Sequence, residues 1–401
     1  MEPDLPAADV RKPEVRQAIA HLRAGRMPRL ETESSRVSHG RGCIEAQLVT
    51  LDRHGRSSLA PRRWLGACQY SRVCGSEGGP MTDFVRTPES NFAELPGFDF
   101  APHYHTWQDL RIHFVDEGSR DAPVMLLLHG MPTWSFLYRD MIPLLVAAGY
   151  RCVAPDHAGF GRSDKPTDLH WYTIARHTEI LTSLVNGLDL QDITLLCQDW
   201  GGPTGLAQAA QQPERFARLC IMNTWLHHPE FVYTEAIQNW IRNWEEGGLF
   251  SRPTPDVGLL LPFSAGLIPR EVMFPSLVEG KEPELAGEAA RMVQGFRAPF
   301  RGLPDEAYNG LRRFPLSIPH HSYENGNGAA QTAHYRALLQ WQKPVHFIWG
   351  GADDVFDEAW GRKWAKQMNA SFDAIPEAGH FLQNTHGSEI VELLLARIAG
   401  P

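Results

Sequence analysis

The stretch Ile193-Thr194-Leu195-Leu196-Cys197-Gln198-Asp199-Trp200-Gly201-Gly202 joins two different patterns. A continuous apolar run, the mark of a strand buried on both faces, ends in a polar pair. Gly201 and Gly202 then open a segment of helical composition, 203–211. From Cys197 to Gly201 the residues follow the form small–x–acid–x–small. A chain that turns so sharply from strand to helix crowds neighbouring backbone, so small residues are needed on either side of the apex. Asp199 occupies that apex. Taken alone it also fits a helix cap, and its surroundings must decide.

Outward from this turn, short apolar runs alternate with longer helical ones. Strands are expected at 110–115, 124–128, 151–154, 193–197, 218–222 and 345–349, with helices such as 173–188 and 203–211 between them. That alternation predicts an α/β fold with a mostly parallel central sheet, 110–115 being an antiparallel member. Ligands of such sheets bind beyond the carboxyl ends of the strands. Those ends carry His129, Asp156, Asp199 and Asp353. The alternation lapses between Asn223 and Val345, a gap too long for one crossover. Its content is helical and aromatic, with Phe231, Tyr233, Trp240, Trp244, Phe300 and Phe314 among others. The expected organisation is a sheet domain in two parts, 81–224 and 323–401, with a helical cap inserted at 225–322 to roof a pocket.

The remaining features narrow the class of protein. The chain has 401 residues, and its net charge of -9 argues against nucleic acid or an anionic membrane as partner. Six scattered cysteines with no CxxC pair predict neither a disulfide scaffold nor a structural metal site, and favour a reducing, cytoplasmic location. No apolar run is long enough for a membrane span. Residues 1–80 read differently: Arg-rich, net positive and broken by Gly, Ser and Pro, with no element to defend beyond a conceivable helix at 13–25 that is too short to be stable alone. They are expected to be a disordered extension or an artefact of a mispredicted start.

The partners of Asp199 follow in the order used by α/β-hydrolases, nucleophile, then acid, then His. Asp353 ends the penultimate strand in Gly350-x-x-Asp353, with Asp354 beside it as the competitor. His380 sits in Glu377-Ala-Gly-His-Phe381, a turn of small residues before the final helix. Strand 218–222 is followed by Asn223 and no acid, which favours Asp353. Asp199, His380 and Asp353 are therefore the expected catalytic residues. After strand 124–128, His129-Gly130-Met131 makes a close turn; His129 is expected to be structural, and the amides of Met131 and Trp200 to form an oxyanion hole. A carboxylate nucleophile suits displacement at saturated carbon, giving an ester that His380-activated water then hydrolyses. The Trp200 indole N–H, a donor without acceptor character, suits a halide leaving group. No step needs a metal or an organic cofactor.

These residues resemble the haloalkane dehalogenases. The likeness extends through His129-Gly-Met-Pro-Thr-Trp-Ser-Phe-Leu-Tyr-Arg139, Ala154-Pro-Asp-His-Ala-Gly-Phe-Gly-Arg-Ser-Asp-Lys-Pro166 and Gln198-Asp-Trp-Gly-Gly202. Phe84-Val-Arg-Thr-Pro-Glu is similar to the family's beginning, so Met81 is expected to be the natural start. The resemblance implies an α/β-hydrolase fold with a helical cap, and small halogenated hydrocarbons and water as the reactants. An acid after the penultimate strand implies the subfamily whose second halide donor is a cap tryptophan. Glu235-Ala-Ile-Gln-Asn-Trp240 is similar to that cap helix, so Trp240 takes the role, with Trp244 one turn on as the alternative. Ala298-Pro-Phe300 and Arg313-Phe-Pro315 also look like this cap, which makes Phe300 a pocket residue. Two departures concern the pocket: Met131 stands where relatives usually carry Glu or Asn, and Arg301 where Pro is more usual. A monomer is expected. The alternatives are an epoxide hydrolase, which would draw acids from Tyr233, Tyr308, Tyr323 or Tyr335, and a catalytically silent ligand-binding relative.

Overall fold

A computed structural model describes residues 82–246, 261 and 283–400. The extension expected at 1–80, the start expected at Met81 and part of the expected cap lie outside the described residues. Ten strands are described: β1 (Phe84–Val85), β2 (His103–Trp107), β3 (Leu110–Glu117), β4 (Val124–Leu128), β5 (Arg151–Pro155), β6 (Lys165–Pro166), β7 (Ile193–Asp199), β8 (Phe216–Thr224), β9 (Val345–Gly350) and β10 (Ser371–Ile375). The helices are α1 (Ile142–Ala147), α2 (Ile174–Gly187), α3 (Gly201–Gln211), α4 (Glu235–Glu245), α5 (Gly287–Arg297), α6 (Asn309–Leu316), α7 (Gly328–Leu338), α8 (Glu358–Gln367) and α9 (Leu382–Ala399).

Eight strands form one sheet in the order β10-β9-β8-β7-β4-β5-β3-β2. All neighbours pair in parallel except β3, which runs against both β5 and β2. The continuous apolar runs are explained by burial on both faces. Leu126, Leu128 and Leu195 pack with Leu184 of α2, Leu206 of α3 and Trp364 of α8 on one side. Their chain neighbours Leu127 and Leu196 pack with Leu144 of α1 and Leu394 of α9 on the other. This is the period-two alternation of a strand with two apolar environments instead of one. Each such leucine contributes about 1.5–3 kcal/mol of burial free energy, so the centre of the sheet is the most strongly held part of the molecule.

The six expected strands are β3, β4, β5, β7, β8 and β9, each within a few residues of its anticipated ends. The two edge strands, β2 and β10, had no expectation attached. Their residues are mostly half-buried, and HYHTW and SFDAI lack the continuous apolar run of a central strand.

Between β8 and β9 the described elements are helical. In α4, Ile237, Ile241 and Trp244 are buried at helical spacing, and the helix packs on α6. Thr234 caps α4 by accepting from the Ile237 amide (3.3 Å), while its own hydroxyl donates to the Val355 carbonyl (2.9 Å). That bond ties the entry to α4 to the loop after β9. Among the described residues, no helix is long and apolar enough to cross a membrane.

Candidate active site

The turn after β7 is strained as its sequence requires. Asp199 has φ 49°, in the left-handed region, a conformation that costs of order 1–3 kcal/mol for a residue with a side chain and recurs at functional sites. Two glycines make room for it. A Cβ on Gly201 would strike the Leu128 carbonyl oxygen, and one on Gly130 would strike the Asp199 carboxylate. The Asp199 carbonyl is held by the Thr224 hydroxyl (2.5 Å). Backbone and side chain are thus fixed before any ligand arrives.

Asp199 Oδ1 accepts from the Met131 amide (2.7 Å). Its other oxygen lies 3.6 Å from His380 Nε2. On the far side of the ring, His380 Nδ1 donates to Asp353 Oδ2 (2.9 Å). Asp353 is fully engaged: Asn223 Nδ2 donates to the same oxygen (2.7 Å) and the Val355 amide to Oδ1 (2.7 Å). Burial disfavours the His380 imidazolium, but the charge of Asp353 and the hydrogen bonds and charge of Asp199 outweigh it and raise its pKa to about 10. Gln198 Nε2 donates to the His380 carbonyl (3.0 Å) and lies 3.2 Å from His380 Nε2.

These groups face a cavity of about 300 Å³. Its wall is mainly apolar, with Trp225, Ile237, Trp240, Ile318 and Phe356 prominent. Trp200 is buried on that wall, its ring edge-to-face with Trp225 (4.7 Å) and Phe314 (5.2 Å). Trp240 lines the cavity, whereas Trp244 lies behind it at 5.5 Å between rings and does not.

The structure therefore brings Asp199, His380, Asp353, Trp200, Trp240 and the Met131 amide to one place. Asp353, and not Asp354, reaches His380; Asp354 is exposed at the cavity wall. The Trp200 amide makes no hydrogen bond to the Asp199 carboxylate among the described residues. Phe300 is a correction. It does not line the cavity: its ring stacks on Tyr308 (4.9 Å) and lies over Lys165 Nζ (5.4 Å), where the segment 305–316 packs on β6. Arg301 is exposed and donates to the Asn91 carbonyl (3.1 Å), away from the cavity that Met131 does line. Of the four tyrosines considered for epoxide opening, Tyr233 alone is on the wall, its hydroxyl paired with His227 Nδ1 (2.9 Å). Tyr308 donates to the Phe300 carbonyl and Tyr335 to Gln367, while Tyr323 is half exposed.

His129 and Asp156 take no place on the wall. His129 Nε2 accepts from the His157 amide (3.0 Å) while Nδ1 donates to the Gly130 carbonyl (2.8 Å), which sets the neutral tautomer of a buried strut. Sequence reasoning gave no site role to Asn223, Trp225 or Ile318. The first two stand at and just past the carboxyl end of β8, and that position was the available signal.

Comparison with known proteins agrees with this geometry. Residues 123–386 match the family model for the alpha/beta hydrolase fold, so the class of protein is settled by sheet and turn alike. The chain is 40% identical over 322 residues to haloalkane dehalogenase 1 of Mycobacterium tuberculosis, covering 78% of this chain and 98% of that one. It is 36% identical to the haloalkane dehalogenase of Psychrobacter cryohalolentis, covering 78% and 96%. Among solved structures, the tetrameric haloalkane dehalogenase DpaA from Paraglaciecola agarilytica superposes with a TM-score of 0.68 at 32% identity, covering 79% and 99%. The chain belongs to the haloalkane dehalogenases, hydrolases that act on carbon–halide bonds.

Proposed function

We propose that this chain hydrolyses haloalkanes to an alcohol, a halide ion and a proton through a covalent ester on Asp199. The observation that carries the reading is the line Asp199 Oδ2–His380–Asp353 at the floor of a mainly apolar cavity. Met131 holds Oδ1, so Oδ2 is the oxygen free to attack carbon. The Oδ2–carbon bond forms as the carbon–halogen bond breaks, and the halide leaves with the bonding pair. Trp200 and Trp240 are the proposed donors to that halide, Trp240 being the cap tryptophan. Water then attacks the carboxyl carbon of Asp199; the charge that develops on Oδ1 meets the Met131 amide. The ester C–O bond breaks to release alcohol, and the proton passes through His380 Nε2 to solvent.

The two steps need opposite states of His380. In the resting protein Asp199 helps to keep it protonated. Esterification removes that charge and hydrogen bond, so its pKa falls and the imidazole becomes a base only once the ester exists. Asp353, retaining its charge, holds the ring orientation and stabilises the imidazolium as it forms.

Bromide release from 1-bromobutane and 1,2-dibromoethane, with Asp199→Asn as blank, tests the reading. Bromide from the wild type alone supports it, and none from either refutes it. In His380→Ala the alkyl group should remain on Asp199 and be seen by mass spectrometry of the intact protein.

A further inference from the structure

One charged side chain on the cavity wall is not used by this chemistry. Asp353 and Asp354 are adjacent, yet their environments are opposite: Asp353 is buried with both oxygens bonded, and Asp354 is exposed while still lining the cavity. A residue that is both on the wall and open to solvent marks the mouth. The Asp354 carboxylate has no hydrogen bond or ion pair among the described residues, so its charge is not spent on a neighbour. No Lys or Arg is among the described residues that line the cavity. Glu235, the exposed first residue of α4, precedes the wall residue Ala236 and adds a second negative charge on that side. The field of the whole chain has the same sign.

A substrate with its halogen-bearing carbon against Asp199 must direct its other end toward the mouth. We propose that Asp354 selects substrates by the charge of that remote end: haloalkanes with a neutral or cationic far end are admitted, and ω-halocarboxylates are turned away. The inference rests on the proposed dehalogenation and names the substrate class it serves. A carboxylate held near Asp354 is repelled and a quaternary ammonium group attracted, across a rim whose effective dielectric lies between protein and water. A charge contrast of that kind is worth roughly tenfold in each direction.

The test compares kcat/KM for bromide release from three six-carbon substrates: 1-bromohexane, 6-bromohexanoate and (6-bromohexyl)trimethylammonium. The wild type, Asp354→Asn and Asp354→Lys are each measured, and the two charged substrates are scaled to 1-bromohexane within each protein. The expected result is a wild-type preference for the ammonium over the carboxylate that falls about tenfold in Asp354→Asn and reverses in Asp354→Lys. High salt should compress the wild-type preference, which a purely steric role would not do. A cation-to-anion ratio that stays the same across all three proteins, while each still releases bromide from 1-bromohexane, would overturn the role of Asp354 and leave the dehalogenation standing. No bromide from 1-bromohexane with the wild type would instead overturn the functional reading, and the selectivity with it.

Discussion

Two Asp–His pairs lie at the carboxyl edge of the same sheet. Asp156, just past β5, accepts from His113 Nδ1 (2.7 Å), the Ser135 amide (2.7 Å) and the Arg162 amide (2.9 Å). Asp353, just past β9, accepts from His380 Nδ1, Asn223 and the Val355 amide. The two carboxylates are about equally buried and equally saturated. The difference lies on the other side of the imidazole. His113 is sealed in the core, whereas His380 presents Nε2 to a second carboxylate and to a cavity. Burial and a perturbed pKa are common to structural hubs and to reactive sites; what separates them here is access.

The largest expected effect separates the pairs outright. Asp199→Asn should lower turnover at least ~10,000-fold, as loss of a nucleophile does, with a loss of stability limited to the part of the His380 shift that Asp199 supplies. Asp156→Asn should do the reverse. Asn in place of the buried Asp156 carboxylate leaves at least one of its donors unmatched, at about 1–3 kcal/mol each, so denaturant unfolding should show a loss of stability while the folded fraction keeps its rate constant. If Asp156→Asn instead kept stability and lost turnover, the contrast between the pairs would be wrong.

The pH dependence sharpens the comparison. Burial works against the Asp156 carboxylate, but His113 and the amides more than offset it and depress its pKa to about 2. That stabilisation is present above the unfolded value near 4 and is lost as pH falls toward about 2, amounting to about 2–3 kcal/mol. His380 has the opposite sign. Its raised pKa contributes stability fully present below about 6.5 and lost as pH rises through about 10. Unfolding measured across pH should show both limbs, with the acid limb missing in Asp156→Asn and the alkaline limb weakened in Asp353→Asn.

The smallest expected effect concerns the halide. Trp240→Phe should weaken bromide binding about five- to tenfold, the worth of one hydrogen bond of ~1 kcal/mol, and Trp244→Phe should change it less. Quenching of tryptophan fluorescence by bromide measures both. The reverse order would assign the halide to the tryptophan behind the wall.

The legible part of this protein was the part set by local pattern. Continuous apolar runs marked β4, β7 and β9 because those strands are buried on both faces, and the small residues around Asp199 marked the turn because only small residues tolerate it. β2 and β10 escaped because an edge strand has half-polar surroundings and no run to show. Phe300 was misplaced for a related reason: an aromatic residue in the helical segment between β8 and β9 reads the same whether its ring turns toward the cavity or, as here, toward Tyr308 and Lys165.

The order of Asp199, Asp353 and His380 along the chain, each at the end of a strand or in a turn of small residues, was determined by the sequence alone, since strand ends and tight turns are local events. Tertiary structure decided the rest. It turned Asp353 inward onto Asn223 and left Asp354 at the mouth, placed Trp225 and Tyr233 on the wall, and kept Asp156 and His129 out of it. Neighbouring residues of like chemistry differ in such cases only by where their side chains point, and that direction is set by contacts with segments more than a hundred residues away, such as Asn223 on Asp353.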